Sequence, residues 1–192
     1  MSLVLLDFEE TRVLGVPWPG FTAFPDVNLR LYVRQGERRG VVFVRELVPS
    51  RLVARIASGL YGEPFEVADI RSRSRTVGDV LVVERRVRAR GARHRVRVEA
   101  RAEAAPIAPG DEAWFLTERA YGFSRGPSRG RVVTRVDHAP WAAHAVLRST
   151  LDVDFARLYG PAWGFLGREP PWSVLLAAGS PVVVSRPWLE GG

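Results

Sequence analysis

The sequence predicts a mainly β protein with few helices, folded as a curved antiparallel β-barrel or sandwich. Three observations carry this. Apolar and polar residues alternate with a two-residue period through several segments, most clearly VNLRLYVR at 27–34 and RRVRARGARHRVRVEAR at 85–101. Turn-forming pairs, Gly78-Asp79 and Gly91-Ala92, punctuate these runs. Convincing helical spacing occurs in one place only, directly after the first long hairpin. Many short strands and one helix of any length are the pattern of a barrel or sandwich. The 192 residues, with no linker or repeat, predict a single domain over 1–192.

The elements follow in order. Leu3–Phe8 is a short apolar strand and Thr11–Val16 a second. Pro17 to Pro25 is a loop of Pro, Gly and aromatic residues. In the next strand Val27, Leu29, Leu31 and Val33 share one face, and Asn28, Arg30, Tyr32 and Arg34 the other. Leu29–Val33 pairs with Val41–Arg45 across Gln35 to Gly40, a loop longer than the tight two-residue type. Ser50 caps a helix over Arg51–Leu60, in which Leu52, Val53, Ile56 and Leu60 recur at helical spacing. The helix stops at Tyr61-Gly62, and Pro64 prevents its resumption.

The remainder reads as sheet. Strands are expected in Glu66–Arg75, Val80–Arg90 and His94–Ala102, with a short helix over Asp111–Thr117. Tyr121–Ser124 and Gly130–Val136 form a hairpin about the turn at 126–128. Ala143–Asp154 is a strand, Phe155–Tyr159 a helical turn, and 161–172 one long loop. A last hairpin joins Ser173–Ala177 to Pro181–Ser185 before the short Gly191-Gly192 tail.

Composition excludes several functions. No cysteine is present, so disulfides and thiol nucleophiles are absent and a cytoplasmic setting is expected. No apolar run approaches the length of a membrane span, and no membrane partner is expected. The net charge is +7 and every basic residue is arginine. The densest arginines alternate with Val and Ala, so they predict a solvated sheet face and no nucleic-acid partner. The three histidines, His94, His138 and His144, predict no metal site, and no cofactor motif is present. Asp137-His138 and His144 flank a Pro-Trp turn and read as structural.

Two carboxylates stand out. Glu46 ends the strand VVFVRE and Glu63 follows the helix in YGEPF, so a strand–helix–loop unit folding back on itself brings both to one spot. As a catalytic pair they would act as general acid and base. Asn28, Arg30 and Tyr32 on the neighbouring strand are candidate ligand contacts, with Arg30, Arg34 or Arg45 meeting a negative charge. Trp18, Phe21, Phe24, Trp114, Phe115, Tyr121, Trp141, Trp163 and Trp172 fall at element ends, where they plug or rim a barrel. Trp141 and Trp163 are the candidate rim contacts, while Trp188 is expected to be exposed.

FPDVNLRLYVR, GVVFVREL, LYGEPF, FLTERAYGFSR, GRVVTRVDHAPW, DFARLYG and LLAAGSPVVVSRP, in that order, resemble the YqjF-like family of bacterial proteins. That family resembles the acetoacetate decarboxylase-like superfamily, which implies a curved β-barrel around an apolar cavity. Its members commonly carry several tens of residues ahead of the strand matching Ser2–Phe8, so the resemblance implies a chain short at its N-terminus. In the decarboxylase a proline after the helix exit precedes paired lysines, one of which forms a Schiff base with a keto acid. Here Pro64 remains, but Phe65 and Glu66 stand at those places, and arginine is too basic to substitute. The resemblance therefore implies a fold without that chemistry. Three functions remain: binding of a small apolar or weakly anionic molecule; a lyase or hydrolase-like enzyme using a glutamate acid/base on a carbonyl compound; or a structural protein without a ligand. A homo-oligomer stays open.

Overall fold

The structure, a computed structural model, describes every residue except 14–15, 18–21, 127–129 and 192, and at 13, 16 and 17 the backbone alone. Trp18, Phe21, much of the 17–25 loop, the 126–128 turn and the end of the tail lie outside the described residues. The chain forms two compact units. One comprises 1–70, 119–137 and 183–192, the other 71–118 and 138–182.

The elements run β1 (Ser2–Phe8), β2 (Arg12–Val13), β3 (Val16–Pro17), β4 (Phe24–Gln35), β5 (Arg38–Val48), α1 (Arg51–Tyr61) and β6 (Phe65–Val67). Next come β7 (Asp69–Val77), β8 (Val80–Ala89), β9 (Ala92–Pro106), α2 (Glu112–Thr117), β10 (Tyr121–Arg125) and β11 (Arg131–His138). Then follow β12 (Ala142–Asp152), α3 (Phe155–Tyr159), a 3-10 helix (Pro161–Gly167), β13 (Leu176–Ala178), β14 (Val182–Val184) and β15 (Trp188–Glu190). The mostly β architecture with few helices is as the sequence predicts. Closure is not: the strand orders β1-β4-β5-β10-β11-β14 and β13-β12-β9-β8-β7 both have free ends, so the described strands form open sheets and no closed barrel.

In the first unit β4 and β5 pair antiparallel with Gln35 opposite Arg38. The connection is therefore the two residues Gly36-Glu37, tighter than expected, because Gly36 takes φ 57° and lets the strands run to the turn. Ser50 accepts the Val53 N–H and Gly62, at φ 66°, ends α1 with its N–H on the Ser58 carbonyl. Leu52 of the expected apolar stripe is 43% exposed, and Ala54 is the helix residue that is buried. Strand β10 joins β5 in parallel with Tyr121 beside Gly40. A Cβ at Gly40 would lie 2.3 Å from the Tyr121 carbonyl oxygen, so only glycine permits this approach. Val27, Leu29, Leu47, Val48, Phe123 and Val133 make the core.

The second unit is built on the β8–β9 hairpin, with β12 on the other side of β9. Arg86, Arg88, Arg93 and Arg95 are exposed, as the alternation predicts, but Arg85 faces inward and is buried. Segment 161–172 is not all loop, since Pro161 opens the 3-10 helix. The last hairpin does not form: β13 pairs with β12, whereas β14 lies beside β11. Trp172, rather than Trp188 alone, is exposed, at 96% against 37%. No helix among the described residues is long and apolar enough to cross a membrane.

Candidate functional site

Strand β4 buries both of its faces. Val27 and Leu29 enter the core, and on the alternate positions Asp26 and Asn28 are each only 1% exposed. Burying such groups is costly unless partners meet them. Across the β4–β5 ladder Asn28 stands opposite Glu46, which is also buried. A register shift follows, pairing Leu29 with Arg45 but Arg30 with Phe43. The extra residue is Val44 on β5, so the bulge lies just beyond the Asn28–Glu46 pair.

Glu63 arrives from the exit of α1. The left-handed Gly62 turns the chain, the Phe65 N–H bonds the Glu63 carbonyl at 3.0 Å, and the Glu46 N–H bonds the Pro64 carbonyl at 3.1 Å. Glu46 thereby lies beside Phe65 in register, and its carboxyl hydrogen-bonds that of Glu63. On the β10 side Gly122 leaves room: a Cβ there would sit 3.5 Å from Glu63 Oε1 and 2.6 Å from Thr134 Oγ1.

Two carboxyls can hydrogen-bond only by sharing a proton. Burial raises Glu46 well above the ordinary carboxylate range, the charges of Glu63 and Asp26 raise it further, and Arg30 offsets part of this. Glu63 is pushed up to about 7, chiefly by burial; the bond from Glu46 works against the shift and Asp26 adds to it. The two titrate as a pair, sharing one proton between them as long as the site is not fully ionised. The same charge on Glu63, after burial, raises the Tyr61 phenol.

Asn28 Nδ2 donates to Asp26 Oδ1 at 2.5 Å, but Asn28 Oδ1 is buried without a hydrogen bond among the described residues. Apart from the proton shared with Glu63, Glu46 Oε1 likewise meets no donor among the described residues. Further along β4 the site turns cationic. The guanidinium groups of Arg30 and Arg119 each lie 5.6 Å from the centre of the Tyr32 ring, and the Tyr32 hydroxyl bonds Ser2 Oγ at 2.7 Å. Arg119 is buried, and desolvation, then Arg39, lowers its pKa.

Of the residues singled out in the sequence, Asn28, Arg30, Tyr32, Glu46 and Glu63 meet in the first unit. Trp141 and Trp163 belong to the second. There the Trp141 indole donates to Ser180 Oγ at 2.9 Å and lies 4.9 Å from the His138 ring, while Trp163 packs 6.4 Å from Phe165. Arg34 bonds Glu37 and Arg45 pairs with Glu66, so these arginines face other partners. Asp26, Arg119 and Thr134 were missed. Asp26 continues the polar alternation one step before Asn28 and was legible; Arg119 and Thr134 are brought in by distant strands and carry no local signal.

Residues 1–181 match the family DUF2071, described as an uncharacterized conserved protein. The chain belongs to that family. No curated protein matches this DUF2071 chain. Solved structures similar to it include the enduracididine biosynthesis enzyme MppR complexed with the condensation product of pyruvate and imidazole 4-carboxaldehyde, at 16% identity and TM-score 0.51. That match covers 70% of this chain and 55% of the enzyme, so the DUF2071 chain spans little more than half its length. MppR complexed with pyruvate aligns with TM-score 0.55 and 15% identity over 90% of this chain and 66% of that one. An acetoacetate decarboxylase-like enzyme from Sphingomonas wittichii RW1 aligns with TM-score 0.51 and 17% identity over 91% and 69%. At such identities the likeness is one of fold.

Proposed function

We propose that this chain binds a small molecule at the Glu46–Glu63 pair, with Arg30, Tyr32 and Arg119 as the opposite, cationic end of the site. The observation that carries the reading is the buried, proton-sharing carboxyl pair set against Asn28, whose acceptor oxygen lacks a partner among the described residues. A polar cluster this costly is retained for what it contacts more often than for stability. The likeness in fold fits the reading, since MppR, one of the solved structures similar to this chain, is complexed with pyruvate. Of the apolar or weakly anionic ligands expected, an anionic one would set its charge against Arg30 and Arg119. The absence of cysteine fits a cytoplasmic setting.

A second reading is favoured by one specific observation. A carboxyl pushed up to about 7 that shares a proton with a second buried carboxyl is poised for general acid/base work on a carbonyl compound. Schiff-base chemistry on a lysine is outside either reading, because these 192 residues include none. At the two positions where the resemblance implies the decarboxylase amines, Phe65 adjoins Glu46, and Glu66 is engaged by Arg45 at 3.2 Å.

The test is a thermal-shift screen of small carbonyl, carboxylate and amine compounds against the protein and its Glu46→Gln and Glu63→Gln variants. At least one chemical class should raise the melting temperature of the protein and fail to do so for both variants. Ligands that stabilise all three proteins equally would place binding elsewhere. Turnover of a bound carbonyl compound, lost in Glu63→Gln, would select the enzyme reading.

A further inference from the structure

The acidic end of the site has more acceptors than donors. Asn28, buried to 1% exposure, donates its amide N–H to Asp26, and its Oδ1 has no hydrogen-bond partner among the described residues. Directly opposite, Glu46 Oε1 is buried and, apart from the proton shared with Glu63, meets no donor among the described residues. Side chains facing each other across antiparallel strands are about 5 Å apart at Cβ, so one donor atom between them reaches both oxygens. The charged and titratable groups around this point are Asp26 and Arg30 from β4, Glu46 from β5, and Glu63 with Tyr61 from the exit of α1. Repulsion among the carboxyls outweighs the attraction of Arg30 on Glu46.

We infer that the cluster of Asp26, Asn28, Glu46 and Glu63 receives the ammonium group of a small amine. The inference rests on the small-molecule reading of this site and names the class of its ligand at this end. An ammonium supplies three N–H donors and one positive charge, which match the orphaned acceptors and the surplus of carboxyls together. A carboxylate ligand brings neither and adds to the repulsion. A bound ammonium takes the place of the shared proton, so binding releases protons and strengthens as the pair ionises.

The experiment uses the whole protein labelled with 13C at glutamate carboxyls, titrated by NMR with saturating ethylammonium, tetramethylammonium or propionate. Ethylammonium should lower the Glu63 midpoint by about one pH unit and bind about tenfold more tightly at pH 7.5 than at pH 5.5. Tetramethylammonium, which has the charge without N–H donors, should leave the midpoint in place. Glu63→Gln should weaken ethylammonium about fivefold or more and flatten its pH dependence, as should Asn28→Leu if it folds. A midpoint moved upward by propionate and untouched by ethylammonium would overturn the inference while leaving the small-molecule site. Equal effects of the two cations would refute the donor argument, and the inference with it. No response to any probe would mean that ordered water satisfies the acceptors, and would remove both the inference and the site reading.

Discussion

Asn28 and Glu46 stand directly opposite each other on β4 and β5, both buried, each with an oxygen that no described N–H or hydroxyl group meets. An isosteric change there probes the electrostatics without altering shape. Asn28→Asp adds a carboxyl facing Glu46, so the Glu63 midpoint should move above about 7 and stability at pH 8 should fall by on the order of 2–4 kcal/mol. Carboxyl 13C titration and urea unfolding measure both. An unmoved midpoint would show that position 28 does not sense the pair.

Stability should fall as pH rises through the range where the pair ionises. Glu63 has its folded pKa raised from 4.5 to about 7, so the native state holds a proton that the unfolded chain releases. Its contribution is complete below about pH 4.5 and is lost progressively up to about pH 7, by on the order of 3 kcal/mol. Glu46 acts in the same direction. Urea unfolding between pH 4 and pH 8 should give a declining curve for the protein and a flatter one for Glu63→Gln. Parallel curves would refute the shared proton.

Gly122 makes room for Glu63. Gly122→Ala puts a Cβ 2.6 Å from Thr134 Oγ1, and should cost about 1–3 kcal/mol while shifting the Glu63 titration. Thr134→Ala removes that oxygen, so the double variant should recover most of the loss. The readout is the double-mutant cycle, and strict additivity would show that the two residues do not collide.

The C-terminal strand is tied to the β4–β5 hairpin by charge. Arg38 donates from both terminal nitrogens to Glu190, at 2.5 and 3.0 Å, and the Trp188 indole donates to the same carboxylate at 3.1 Å. The Arg38 contact first, then Trp188, pulls the Glu190 pKa down to about 2. The stabilisation is therefore present above about pH 4.5 and fades as pH falls toward about 2. Melting temperatures of the protein and of Glu190→Gln should converge over that acid range, with Trp188 fluorescence reporting release of β15. A constant gap between them would dissociate the carboxylate from the effect.

Local signals by themselves determined much of this protein. The two-residue alternation set β4, β5, β8 and β9, and Ser50 and Gly62 delimited α1. Each depends on neighbours in the chain, which is why each is visible there. The approach of Glu46 to Glu63 was legible for the same reason, since one strand–helix–loop unit carries both. What tertiary structure alone decided lies at long sequence separation. The expected last hairpin gives way to β13 pairing with β12 and β14 lying beside β11, a choice of hydrogen-bonding edges that no local pattern encodes. Arg119 comes to Tyr32, and Gly122 and Thr134 to Glu63, only because β10 joins β5 in parallel. Burial decided the proton on the glutamate pair, because a carboxyl's pKa depends on the water and charges that the folded chain leaves around it.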